Sequence, residues 1–143
     1  RRGRPPANAC CHTVEGGGYA RWGRGGEARR IFEAVVERAE AGQAGYNTHM
    51  EEIAQLYLAR DRLYRDAYRE ALQHLAELEQ LTARETIEDT RYRVLGYLYQ
   101  GMVYDALGRR EMAVNRYRTV LNMEDASGAH ERAERYLEEA YSG

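Results

Sequence analysis

Tyr97, Gly101, Tyr104, Leu107, Gly108, Ala113 and Tyr117 stand at fixed offsets across one short segment, and that spacing constrains the fold more than any other feature. Tyr97, Gly101 and Tyr104 set large, small and large residues along one face of a helix. Leu107-Gly108 reads as the end of that helix, because glycine takes left-handed backbone angles without steric cost. Ala113, Tyr117 and Val120 then mark the packing face of a second helix. Gly101 and Ala113 let two backbones approach closely while aromatic rings fill the space beside them. The pattern predicts a helical hairpin that packs on itself and on its neighbours.

The rest of the chain reads as helix too. Its 143 residues suffice for one domain with a continuous core. Both prolines lie at residues 5 and 6 and six of the 14 glycines between Gly16 and Gly26, so residues 1–14 are expected to form a flexible tail and 15–143 a helical domain. From Tyr46 to Leu95 there is neither glycine nor proline. Ala28, Ile31, Phe32, Val35 and Val36 form one stripe, ending before Gly42. Thr48-His49-Met50-Glu51 has a capping-box pattern and opens a helix bearing Met50, Ile53, Ala54 and Tyr57. Polar Arg60-Asp61-Arg62 suggests a turn, although a continuous helix is also compatible with it. Ala67, Ala71, Leu75, Leu78 and Leu81 follow as a second stripe. Thr86 is expected to start the next helix, which runs to Leu107, and Ser127 to cap a last one facing the core with Ala133, Tyr136, Leu137 and Ala140. That gives about six helices and no strand.

Residues 94–127 resemble the tetratricopeptide repeat (TPR), a helix–turn–helix unit with a sparse pattern of large and small residues. Gln100 stands where that family usually has an apolar residue, and Asp125 where proline is common. Tyr19, Trp22-Gly23, Ala28, Phe32 and Val35 keep the same offsets upstream, but Gly16-Gly17-Gly18 would interrupt the first helix of that unit. In the middle, Met50, Ile53, Ala54 and Tyr57 match a first helix and Ala71, Leu75 and Leu78 a second, with a turn about five residues longer than the family's. The stripe from Ala133 to Ala140 matches a capping helix. The resemblance implies an all-α, right-handed α-α superhelix.

Composition narrows the chemistry. All 21 basic residues are arginine, as in a bacterial-type genome of strong base-composition bias, which excludes a phosphate-loop or Schiff-base lysine. Near-balanced charge, −2 overall, argues against a surface built entirely to hold nucleic acid. The two serines lie in no nucleophile motif, and the four histidines lack the paired spacing of a zinc helix. Cys10-Cys11-His12 offers metal-ligating atoms, yet three consecutive side chains do not converge on one tetrahedral ion. No catalytic residue, cofactor or metal is therefore expected. No apolar run approaches the roughly 20 residues of a membrane span. A chain starting at Arg1 reads as a fragment or processed product, and the cytoplasm is the favoured compartment. Neither the oligomeric state nor the partner's identity is expected from sequence.

Function follows from the resemblance: a non-catalytic module that binds a peptide or partner helix in a concave groove lined by the first helix of each repeat. Carried onto this chain, the groove residues are Leu95, Leu98, Met102, Asp105 and Ala106, with Glu52, Leu56 and Arg60 from the middle unit. They suit an apolar ligand segment, or the chain's own N-terminal region. The alternative is a regulatory or assembly domain of a larger enzyme or transcriptional regulator. A further alternative is nucleic-acid binding by Arg60, Arg62, Arg65 and Arg69 with Tyr64 and Tyr68, although Asp61–Arg65 and Arg62–Asp66 stand at ion-pair spacing.

Overall fold

The computed structural model describes residues 25–83 and 90–143. Six helices occupy them: α1 (Gly25–Glu40), α2 (Thr48–Tyr64), α3 (Tyr68–Ala83), α4 (Arg91–Ala106), α5 (Arg110–Leu121) and α6 (Ala129–Glu138). There is no strand among the described residues. The expected tail, Cys10-Cys11-His12, the glycine run, Tyr19 with Trp22-Gly23, and Thr86 lie outside them.

Each helix packs on the next, and contacts between alternate helices join α2 to α4 and α4 to α6. The even-numbered helices therefore share one layer. One apolar core runs the length of the array, from Ala28, Phe32 and Val35 through Leu75 and Leu78 to Tyr117, Val120, Ala129 and Ala133. Burying each large side chain in it contributes about 1.5–3 kcal/mol. Close approach of α4 and α5 depends on Gly101: a Cβ there would lie 2.4 Å from Cε1 of Tyr117. The glycine and the aromatic ring, sixteen positions apart in sequence, fill one space.

Three helix ends share one hydrogen-bond pattern around a residue of positive φ. Gly42 (66°), Asp66 (59°) and Gly108 (74°) are those residues. After α1 the Gln43 N–H donates to the Arg38 carbonyl at 2.9 Å; after α2 Ala67 donates to Arg62 at 2.8 Å; after α4 Arg109 donates to Tyr104 at 2.8 Å. Each is a Schellman ending, which satisfies carbonyls that the helix leaves open. The shared geometry also aligns the two complete hairpins. Ala59 and Gly101 stand seven residues before their left-handed positions, Ala71 and Ala113 five after, and Leu75 and Tyr117 nine after.

That register corrects the expected long turn in the middle unit. Both turns are the same length: Arg62, five residues after Tyr57, takes the place of Tyr104 in this register, and the additional residues of α3, 16 against 12 in α5, lie at its C-terminal end. The Arg60-Asp61-Arg62 run does not break α2, because Asp61 is buried and accepts hydrogen bonds from Arg62 at 2.7 Å and Arg65 at 2.9 Å. Two caps also differ from expectation. Asn47, not Thr48, caps α2: its Oδ1 accepts from the Met50 N–H at 2.9 Å while Thr48 is already helical. Before α6, Asp125 accepts the His130 N–H at 2.9 Å, and Ser127 (φ 52°) and Gly128 (φ 72°) form the turn instead. Of the residues expected to turn α6 toward the core, Ala133 is buried, Tyr136 and Leu137 are half-buried, and Ala140 is exposed.

Candidate functional site

The even-helix layer contains all eight residues expected to line a groove, but packs most of them inward. Leu56, Leu98, Met102, Leu95 and Glu52 are buried, and Arg60 is 8% exposed. Ala106 is half-exposed at the end of α4. Asp105 has a different place. Its carboxylate is 1% exposed and accepts from both Arg110 Nη1 at 3.0 Å and the Tyr117 hydroxyl at 2.7 Å. The Tyr141 backbone N–H donates to it as well, at 3.0 Å, and Arg110 reaches the Leu137 carbonyl at 2.9 Å. Asp105 therefore ties α4, α5 and the C-terminal segment together. Burial, with the carboxylate as hydrogen-bond acceptor, pushes the Tyr117 phenol pKa well above its ordinary range.

The arginines of α2 separate by partner. Asp61 has Arg29 of α1 at 3.6 Å, besides Arg62 and Arg65, and Arg62 also reaches Glu33 at 3.0 Å. The Asp61–Arg65 pair anticipated from spacing is present, while Arg62 pairs with Asp61 and Glu33 instead of Asp66. This compensated network joins α1 to α2 and removes two guanidiniums from the Arg/Tyr face at residues 60–69.

Arg60 takes another direction. Its guanidinium lies 5.8 Å from the centre of the Tyr99 ring, and Arg132 of α6 lies 5.4 Å from the same ring. Three elements thus meet at Tyr99, each from the even layer. Arg132 also points Nη1 at the Tyr99 hydroxyl and Nη2 at Met102 Sδ, each at 3.5 Å, the long limit of a hydrogen bond. Tyr64 stands one helical turn beyond Arg60 on α2. Tyr64 is 44% exposed, and Tyr136 packs edge-on against Tyr141 at 5.5 Å. Shielding from water, then the neighbouring phenols, raises Tyr64 above its usual pKa and pushes Tyr141 up to about 12. The Tyr64 and Tyr141 hydroxyls therefore keep their protons at neutral pH.

The arrangement combines a half-buried cation with neutral phenolic donors and an exposed ring. It can hold an anionic group and pack an apolar one beside it. Sequence reasoning includes Arg60 and Tyr64 but omits Tyr99 and Arg132. Nothing local distinguishes Arg132: α6 also carries Arg135, whose guanidinium lies on the neighbouring Tyr136 ring at 5.1 Å. Packing of α6 on α4 selects between them.

Away from this cluster, an open cleft of about 520 Å³ lies among Glu40, Thr48, Glu51, Glu77 and Gln80, and one of about 260 Å³ among Arg30, Ala34, Arg38 and Tyr46. The cavity between α3 and α4 measures about 10 Å³ and is lined by Leu75, Glu79, Thr82 and Gln100 among others. Among the described residues no three His, Cys, Asp or Glu side chains converge as metal ligands, and no helix is long and apolar enough to cross a membrane. Comparison with family models, with curated proteins and with solved structures returns no match.

Proposed function

We propose that this chain is a non-catalytic, tetratricopeptide-like interaction module that holds a peptide or partner helix along the α2–α4–α6 layer. The carrying observation is the meeting of Arg60, Tyr99 and Arg132, from three successive even helices, with the exposed Tyr64 one turn beyond Arg60 on α2. A site assembled across three helices needs the array intact, so the fold and the recognition surface are one object. The repeat spacing at 94–127 and the matched turns at Asp66 and Gly108 support the family reading. Buried Leu56, Leu98 and Met102 set the floor, and the partner contacts the rim at Tyr64 and Arg132.

Site-specific photo-crosslinking tests this reading. A photoreactive phenylalanine analogue is placed at Tyr64 or, as control, at Met112 on α5, two positions of nearly equal exposure (44% and 43%). The same protein adduct, recovered from cells carrying the position-64 protein and reproduced with both purified proteins, is expected to be absent at position 112. Adducts at 112 alone would contradict the assignment of the binding side.

A further inference from the structure

Among the described residues, Arg132 is a half-buried guanidinium with no carboxylate against it. The partners it does have are a ring, a hydroxyl and a thioether, the last two at 3.5 Å. Arg29, Arg62 and Arg65 share Asp61, and Arg110 has Asp105, whereas Arg93 donates to the Thr82 carbonyl and Arg116 lies over the Tyr97 ring; Arg132 is the one that shares its ring with a second guanidinium, Arg60. Withdrawing a guanidinium from water without an anion costs free energy, and its remaining N–H donors are open to one.

We infer that Arg132, with Tyr99 against it and Tyr64 one turn beyond Arg60, binds the carboxylate of an acidic side chain in the partner peptide. The inference rests on the interaction-module reading and adds the chemistry of the ligand. A planar guanidinium matches a carboxylate with two parallel hydrogen bonds. The exposed face of Tyr64 takes an apolar or aromatic residue next to that acid. A nucleic-acid backbone fits less well, since it needs a track of cations, and Asp61 already neutralises Arg62 and Arg65. Arg60, the other guanidinium on Tyr99, has interactions of its own.

The test is selection of short random peptides on the whole purified chain at neutral pH, followed by affinity measurements on the peptides recovered. The expected peptides are enriched in Asp or Glu next to an apolar residue. Replacing that acid by its amide weakens binding to the wild type by about tenfold or more. Arg132→Gln lowers the affinity of the acidic peptide to that of the amide peptide and leaves the amide peptide unaffected, the signature of a direct pair. Arg132→Lys, which keeps the charge, retains part of the preference. Circular dichroism confirms that each variant is folded.

Recovered peptides without acidic residues would overturn this inference and leave the interaction module standing. So would equal weakening of both peptides by Arg132→Gln, which would make Arg132 a packing residue. Recovery of no peptide at all would contradict the module reading together with the inference. Displacement of an acidic peptide by a single-stranded oligonucleotide, dependent on Arg132, would overturn the inference in favour of nucleic acid.

Discussion

Gly101 and Tyr117 hold the α4–α5 pair at its spacing, and the contrast between two glycines of α4 measures how tightly. Gly101→Ala puts a methyl group 2.4 Å from a ring that is fully buried and cannot move aside. Urea unfolding of that variant is expected to show a loss of about 1–3 kcal/mol, the usual cost of overpacking. At Gly96 the neighbour is Leu78 Cδ2 at 3.2 Å, the end of a flexible side chain. Gly96→Ala is expected to fall within about 1 kcal/mol of wild type, because the gain in helix propensity offsets the adjustment of Leu78. This contact was legible in the sequence, since small and large residues at helical offsets encode it directly. The role of Asp105 was not. One carboxylate on a helix end can face solvent, a groove or a neighbour, and here Tyr117, Arg110 and the Tyr141 amide decide among them. His74 adds a pH effect at the same scale. Its Nδ1 meets Gln55 Oε1 at 2.7 Å, and burial, then the nearby Arg62 charge, lowers its pKa below 6.5. The unfolded chain therefore takes up a proton near pH 6.5 that the folded chain refuses. Stability is expected to fall as pH drops below about 6.5 and to level off beneath the folded-state pKa. His74→Gln is expected to flatten that slope in urea midpoints measured from pH 7.5 to 5.

Turns fix the register of the elements, and here the sequence was only partly legible. Gly108 announces its left-handed position, but Asp66 reaches φ 59° with no such signal, as one charged residue in a polar run. The absence of glycine hid the end of α2, and the expected turn fell on Arg60-Asp61-Arg62 although those residues are helical. Equivalent turns with different residues yield predictions of opposite sign. Asp66→Gly removes the steric cost of a left-handed side chain and is expected to stabilise by about 0.5–1 kcal/mol, after the loss of the exposed contact from the Tyr68 hydroxyl. Gly108→Ala introduces that cost and is expected to destabilise by about 1 kcal/mol. Thermal melts of the two variants beside wild type check both signs. The caps were legible to within a residue or two. Asn47 and Asp125 carry the oxygens, while the neighbouring Thr48 and Ser127 have the same chemistry in the wrong backbone positions.

At the scale of the molecule, the all-α array of six helices was legible because long segments without glycine or proline alternate with short polar turns. The proposed recognition site was not, because it joins residues from α2, α4 and α6 whose alignment depends on how successive hairpins stack. Arg60 and Tyr64 could be named from their interleaving along one helix, whereas Tyr99 and Arg132 meet them only in the folded array. The Asp61 network has the opposite consequence: it withdraws Arg62 and Arg65 from the same α2 segment and leaves its end distinctive. We propose that the even-numbered layer is the binding side. Hydrogen exchange of the whole chain, alone and saturated with the tightest peptide selected on it, tests that claim most directly. Slowed exchange is expected at the C-terminal end of α2, around Tyr99 in α4 and along α6, with α1 and α5 unchanged. Protection confined to α3 and α5, or spread evenly over all six helices, would contradict it.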